Sequence, residues 1–150
     1  MSNHSQATDQ STHHMKLFRK IIEDGFSRAN FAVIDEIVAP HIVEHQAGMG
    51  QGPAGVKGAI SYLRSVFPDF TLTVEDMTCD GDKVWARLRA RGTHDGPHMG
   101  MLPTGRQIDI TVFDICRFED GMMVEHWGVP DRFTILEQLG MLPAQREAGT

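Results

Sequence analysis

From Phe70 onward the apolar residues recur at every second position instead of every third or fourth, and this change of period constrains the fold more than any other feature of the chain. Phe70, Leu72 and Val74 alternate with Thr71, Thr73 and Glu75, and Asp80-Gly81-Asp82 then signals a hairpin turn. The returning segment, Val84 to Thr93, sets Val84, Ala86, Leu88, Ala90 and Gly92 against Trp85, Arg87, Arg89, Arg91 and Thr93. A third strand, Arg106 to Glu119, carries Ile108, Ile110, Val112, Asp114, Cys116 and Phe118 on one face. Asp120-Gly121 is another hairpin signal, followed by a strand from Met122 to Val129. Each of these strands has one dry face, so the sheet must be covered by something apolar on that side alone.

The covering elements precede it. Residues 1–10 are polar and are expected to form a disordered leader, with His4, His13 and His14 solvated. From about Ser11 to Ala29, Leu17, Phe18, Ile21, Ile22 and Phe26 recur at helical spacing opposite Lys16, Arg19, Lys20, Glu23 and Asp24. Asn30 is placed to cap a second helix over Phe31–Val38 that Pro40 ends, and Ile42–Gln46 reads as a short strand. A third helix starts near Pro53, carries Val56, Ile60, Leu63, Val66 and Phe67, and stops at Pro68. Helices first and long strands afterwards predict an α+β fold, one domain over residues 11–142 with a tail at 143–150.

Composition removes several classes of function. A formal net charge of -6 and a pI near 5.7 argue against nucleic acid or an anionic membrane as the main partner. No apolar run reaches membrane-spanning length, and there is no signal-peptide layout at the N-terminus, so a cytoplasmic location is expected. Cys79 and Cys116 lie on separate strands outside any C-x-x-C pair and read as reduced core thiols, although a disulfide stays open. The glycine-rich run QAGMGQGPAGVKG, residues 46–58, lacks the strand and spacing of a phosphate loop. His41/His45 and His94/His98 are each spaced by four, but Gly96-Pro97 breaks the second pair and no HExxH is present, so no metal site is expected. No Ser or Cys sits in a nucleophile elbow.

Proton chemistry remains, and its candidates gather near the C-terminus. Simple alternation puts Met123, Glu125, Trp127, Val129 and Asp131 on one face of the last strand, with Met122, Val124, His126 and Gly128 on the other, unless a bulge shifts the phase. Asp131 then stands at a strand-to-helix corner, because Phe133, Ile135, Leu136 and Leu139 are helically spaced and Gly140 stops the helix. Two roles fit it. It can cap that helix, or it can serve as a general acid/base whose pKa is raised by desolvation against Trp127 and Val129. Asp114 is anomalous within an apolar stripe and must pair, with a neighbouring-strand arginine or as a second pocket carboxylate. The loop His94–Arg106 is placed as a lid, and Met49 and Met99 to Met101 suit the mouth of a cavity walled by Trp127, Val129, Phe67 and Phe113. The exposed face with Trp85 and the arginines predicts a homodimer or a dimer of dimers.

Four motifs carry a family resemblance over roughly Lys16–Leu142: PHIVEH ending at His45, GPAGVKG before the third helix, GTHDG with PTGR, and FEDGMMVEHWGVPDRFTILEQLG. The sequence resembles the SnoaL-like polyketide cyclases, or ester cyclases, of the nuclear-transport-factor-2-like superfamily. The resemblance implies a cone-shaped, curved antiparallel or mixed sheet on three N-terminal helices with a short C-terminal helix, a cystatin-like α+β barrel. It implies ring closure by an intramolecular aldol step on a small apolar carbonyl or ester substrate, with no cofactor. By position the acid/base is Asp131, with His45, His94 and His126 as polar groups around the cavity. Gly128 stands where members commonly carry Asp or a bulky residue. Epoxide hydrolases of the superfamily use an Arg-x-Asp pair that is absent here. Open alternatives are an isomerase of the ketosteroid type, an epoxide-hydrolase-like enzyme, or a binding or dimerisation module without chemistry.

Overall fold

The computed structural model describes residues 2–143, with side chains described from Ser5 onward. Helix α1 (Ser2–Lys20) continues into a π-helical turn (Ile21–Phe26), followed by α2 (Phe31–Ile37), β1 (Val38–Glu44) and α3 (Gly52–Val66). Four long strands come next, β2 (Thr71–Asp80), β3 (Lys83–Thr93), β4 (Gln107–Glu119) and β5 (Met122–Pro130), and α4 (Arg132–Gln138) closes the order. The strands form one open mixed sheet in the order β1-β5-β4-β3-β2. β1 lies parallel to β5, and every other neighbouring pair is antiparallel.

The dry faces meet as their alternation requires. Val84, Ala86, Leu88 and Ala90 of β3 are buried together with Ile108, Ile110, Val112, Cys116 and Phe118 of β4, against Phe18, Ile21, Ile22, Ile34 and Ile60 from the helices. The opposite sheet face is left open, with Trp85, Phe113 and Val129 exposed. There Arg89 pairs with Asp109 at 2.7 Å, so the arginine row is an outer surface. Asp120 and Gly121 both have positive φ, 49° and 76°, which is the two-residue turn whose twist matches a β4–β5 hairpin.

Several expectations shift. The first helix begins at Ser2, so the leader expected to be disordered is helical here, although residues 5–10 remain exposed. His14 is buried and stacks on Phe118, 5.4 Å between ring centroids, where a solvated histidine was expected; His4 lies outside the described side chains. Asn30 holds the N-cap position of α2 without a side-chain hydrogen bond. Pro40 does not end a helix but sits inside β1, an edge strand whose register is broken between Val38 and Val43, where a missing N–H costs least. Cys79 and Cys116 are both free thiols. No described helix is long and apolar enough to cross a membrane. Of the expected tail, only Pro143 is among the described residues.

Candidate active site

One irregularity decides what the sheet offers its cavity. Phe118 opposes Met123 and Arg117 opposes Glu125, so Val124 is an extra residue bulged into β5. Beyond it the phase of β5 is reversed. Cys116 pairs with His126, Asp114 with Gly128 and Val112 with Pro130, all toward the helices, while Trp127 and Val129 pair with Ile115 and Phe113 on the outer face. Between sheet and helices lies a cavity of about 770 Å³ whose wall includes Glu44, Asp114, His126, Phe67, Met49 and Met99.

His126 is its chemical centre. Nδ1 donates to Glu44, 2.7 Å from Oε1 and 2.9 Å from Oε2, and Nε2 faces Asp114 Oδ1 at 3.4 Å. All three residues are buried. The longer contact is charge attraction without hydrogen-bond alignment, so Asp114 Oδ1 is left with no hydrogen-bond partner. Burial works against a charged His126 ring, but the negative charges of Asp114 and Glu44 beside it and the hydrogen bonds to Glu44 outweigh it and lift the pKa to about 9. The ring is therefore an imidazolium at neutral pH. Gly128 makes the convergence possible, because a Cβ there would stand 2.0 Å from Gln46 Oε1 and 2.9 Å from both Asp114 Oδ1 and His126 Cε1. Glu44 also accepts from the Gln46 N–H at 2.8 Å, and Gln51 holds the Glu44 backbone, so the loop after β1 is tied to the same carboxylate.

Phe67, Met49, Met99, Asp114 and His126 line the cavity; the other candidate site residues do not. Trp127 and Val129 line a groove on the outer face instead, because the bulge turned β5 over, and Phe113 joins them there because it alternates with the inward Val112 and Asp114 of β4. His45 is outside as well, stacked on Trp127 at 4.7 Å and 2.8 Å from Glu125. His94 is fully buried behind the wall, its Nδ1 2.9 Å from Thr104 Oγ1, and it fastens the base of the loop that runs to Arg106. Met101 belongs to that loop, bonded through its backbone to His98. Asp131 is an exposed N-cap of α4, accepting from the Thr134 N–H at 3.1 Å and its hydroxyl at 2.7 Å. Those bonds favour the carboxylate and lower its pKa, the opposite of the desolvated carboxyl expected. Asp114 pairs with a histidine and not with an arginine.

A family model, SnoaL-like polyketide cyclase, matches residues 16–139. The chain belongs to that family. Among solved structures it is similar to IdmH, a putative polyketide cyclase from Streptomyces antibioticus, at 34% identity over 85% of this chain and 98% of that one, with a TM-score of 0.77. It is similar also to TsrD from Streptomyces laurentii, at 27% identity, 87% and 97% coverage and a TM-score of 0.79. A third is AclR, a putative hydroxylase from Streptomyces galilaeus, at 28% identity, 89% and 99% coverage and a TM-score of 0.78. No curated protein matches the chain in sequence. The shared fold is the nuclear-transport-factor-2-like one.

For a SnoaL-like chain the arrangement supplies a fixed positive charge beside a carboxylate oxygen with no hydrogen-bond partner, both on an apolar cavity wall. Such a pair suits removal of a proton from carbon and stabilisation of the oxyanion that results. Among the described residues no three His, Cys, Asp or Glu side chains converge as a metal-binding group. Sequence reasoning missed Glu44, although Ile42 and Glu44 share the inward face of β1 while Val43 between them is 48% exposed. It missed Tyr62 and His98 on the wall as well.

Proposed function

We propose that this protein is a cofactor-independent cyclase acting by acid/base catalysis on a small apolar carbonyl or ester substrate, with Asp114 as proton acceptor and His126 as its cationic partner. The observation that carries this reading is the His126 imidazolium held between Glu44 and Asp114 on the wall of the cavity. Asp114 takes the acidic proton from a carbon between two carbonyls, and the charge of His126 stabilises the enolate. The enolate carbon attacks another carbonyl carbon of the same molecule, forming the ring bond. The alkoxide so formed regains the proton from Asp114, so the step balances without an oxidant or a co-reactant. Glu44 acts through His126 by holding the ring oriented and charged.

The test is turnover of 1,3-dicarbonyl esters that carry a further ketone within ring-closing reach of the acidic carbon. Asp114→Asn should keep the fold and lose kcat by about a hundred-fold or more. His126→Gln should lose a comparable factor, because the enolate then lacks its counter-charge. Parent-like kcat in both variants removes the assignment.

A binding protein without chemistry is the second reading, favoured by one observation: Asp131, the acid/base implied by the family resemblance, is a satisfied helix cap. Tight binding of the esters with no turnover by the parent protein would select it. The proposal includes a homodimer or dimer of dimers through the outer sheet face, supported by the exposed Trp85, Phe113 and Val129. A cytoplasmic setting is part of the same reading, supported by the two free thiols.

A further inference from the structure

The cavity wall holds another polar group, carried by different elements from the His126 cluster. Tyr62 of α3 and His98 of the loop between β3 and β4 both line it, and the Tyr62 hydroxyl lies 2.5 Å from His98 Nδ1. The inward residues of β4 run Ile108, Ile110, Val112, Asp114, all on the cavity wall, starting from the strand end at which this loop arrives. At about 3.3 Å per residue, the strand from Ile108 to Asp114 makes an apolar floor roughly 20 Å long. Asp114 ends that floor on one side, and the loop bearing His98 enters it on the other.

The state of His98 follows from its neighbours. Burial, with the nearby His94 adding to it, pushes its pKa down, so the ring is neutral at neutral pH. His94 stands edge-on to it, 6.4 Å between centroids, and is itself anchored on Thr104. Between a phenol and a neutral imidazole, the phenol is the stronger acid, so the Tyr62 O–H donates and Nδ1 accepts. The His98 proton then sits on Nε2, which has no partner among the described residues.

We infer that Tyr62 and His98 form a specificity site for a carbonyl oxygen at the far end of the substrate, with His98 Nε2–H donating to it and Tyr62 fixing the tautomer. This rests on the reading of the cavity as the place where a carbonyl substrate reacts at Asp114. Neither residue takes part in the proton transfer proposed there. The preferred substrate is thus extended and polar at both ends, an acidic carbon and the ketone it attacks beside Asp114 and a further ketone or ester oxygen at His98, with an apolar chain between.

The probes are two long-chain β-keto ethyl esters of equal length, each with a second ketone placed where the acidic carbon can close a ring on it, one with a plain alkyl tail beyond that ketone and one with a further ketone near the end of the tail. Binding is measured by calorimetry, and KM and kcat are measured wherever turnover occurs. The parent protein should bind the ketone-tailed ester about five-fold more tightly, as one neutral hydrogen bond allows. His98→Phe should abolish that preference while leaving the affinity for the plain ester within about two-fold. Tyr62→Phe, which keeps the aromatic ring but frees the tautomer of His98, should reduce the preference in KM. A preference that survives in His98→Phe, or parent protein that binds both esters equally while Asp114-dependent turnover persists, overturns this inference alone. Failure of both esters to bind the parent protein overturns it together with the cavity reading.

Discussion

His126 Nδ1 lies 2.7 Å from Glu44 Oε1, a hydrogen bond that joins the only parallel strand pair of the described sheet, β1 and β5, through their buried side chains. Glu44 and His126 are also register partners, so the backbone ladder itself sets the ring against the carboxylate.

The raised pKa of His126 makes stability depend on pH. Its folded value is about 9 against the ordinary histidine value of 6.5, so between these values the folded protein holds a proton that the unfolded chain has released. Stability therefore falls as pH rises through that window; the contribution is fully present below 6.5 and lost above about 9. The size is on the order of 3 kcal/mol. Urea unfolding at a series of pH values should show this decline in the parent and a flattened dependence in His126→Gln. An equal slope in both would assign the effect to another group.

Asp131 gives a sharp contrast with Asp114. Asp131→Asn should retain parent kcat, since Asn caps a helix nearly as well, and Asp131→Ala should lose about 1 kcal/mol of stability with kcat unchanged. Steady-state rates and melting curves on the two variants decide it. A hundred-fold loss of kcat in Asp131→Asn would restore this residue as the acid/base and displace Asp114.

Gly128→Ala should damage the site without touching its chemistry directly. The added methyl carbon meets Gln46 Oε1 at 2.0 Å and both Asp114 Oδ1 and His126 Cε1 at 2.9 Å, so Gln46 must swing away and the cluster beside it must shift. We expect a loss of about 1 to 3 kcal/mol from overpacking, a lowered kcat, and a His126 pKa displaced toward its ordinary value. NMR titration of the ring reads the last point. An unchanged titration curve and unchanged kcat would show that the cluster tolerates the methyl group.

The outer face should self-associate. Phe113 is 58% exposed and pairs with Val129, 68% exposed, beside Trp85, an apolar surface that a monomer would leave in water. Sedimentation at micromolar concentration should give a dimer or a dimer of dimers for the parent chain and a monomer for Phe113→Glu. A monomeric parent removes the interface.

Element order, strand faces and turns were legible in the sequence because they are set by near neighbours. Alternation on β3 and β4 needed only the two-residue repeat of a strand, and the hairpin at Asp120-Gly121 needed only residues that tolerate positive φ. Family membership was legible for the same reason, since its motifs are contiguous. Which residues meet in the cavity was not. The extra residue at Val124 is a mismatch between two strands, visible only when β4 is laid beside β5, and it moved Trp127 and Val129 outside while bringing His126 in. Likewise His45 and Glu44 are adjacent in the chain, and only the β1–β5 pairing decided that Glu44 faces the cavity and His45 the outer side. The pKa of His126 was decided the same way, because burial and two carboxylates from other strands act on it only after the sheet has formed.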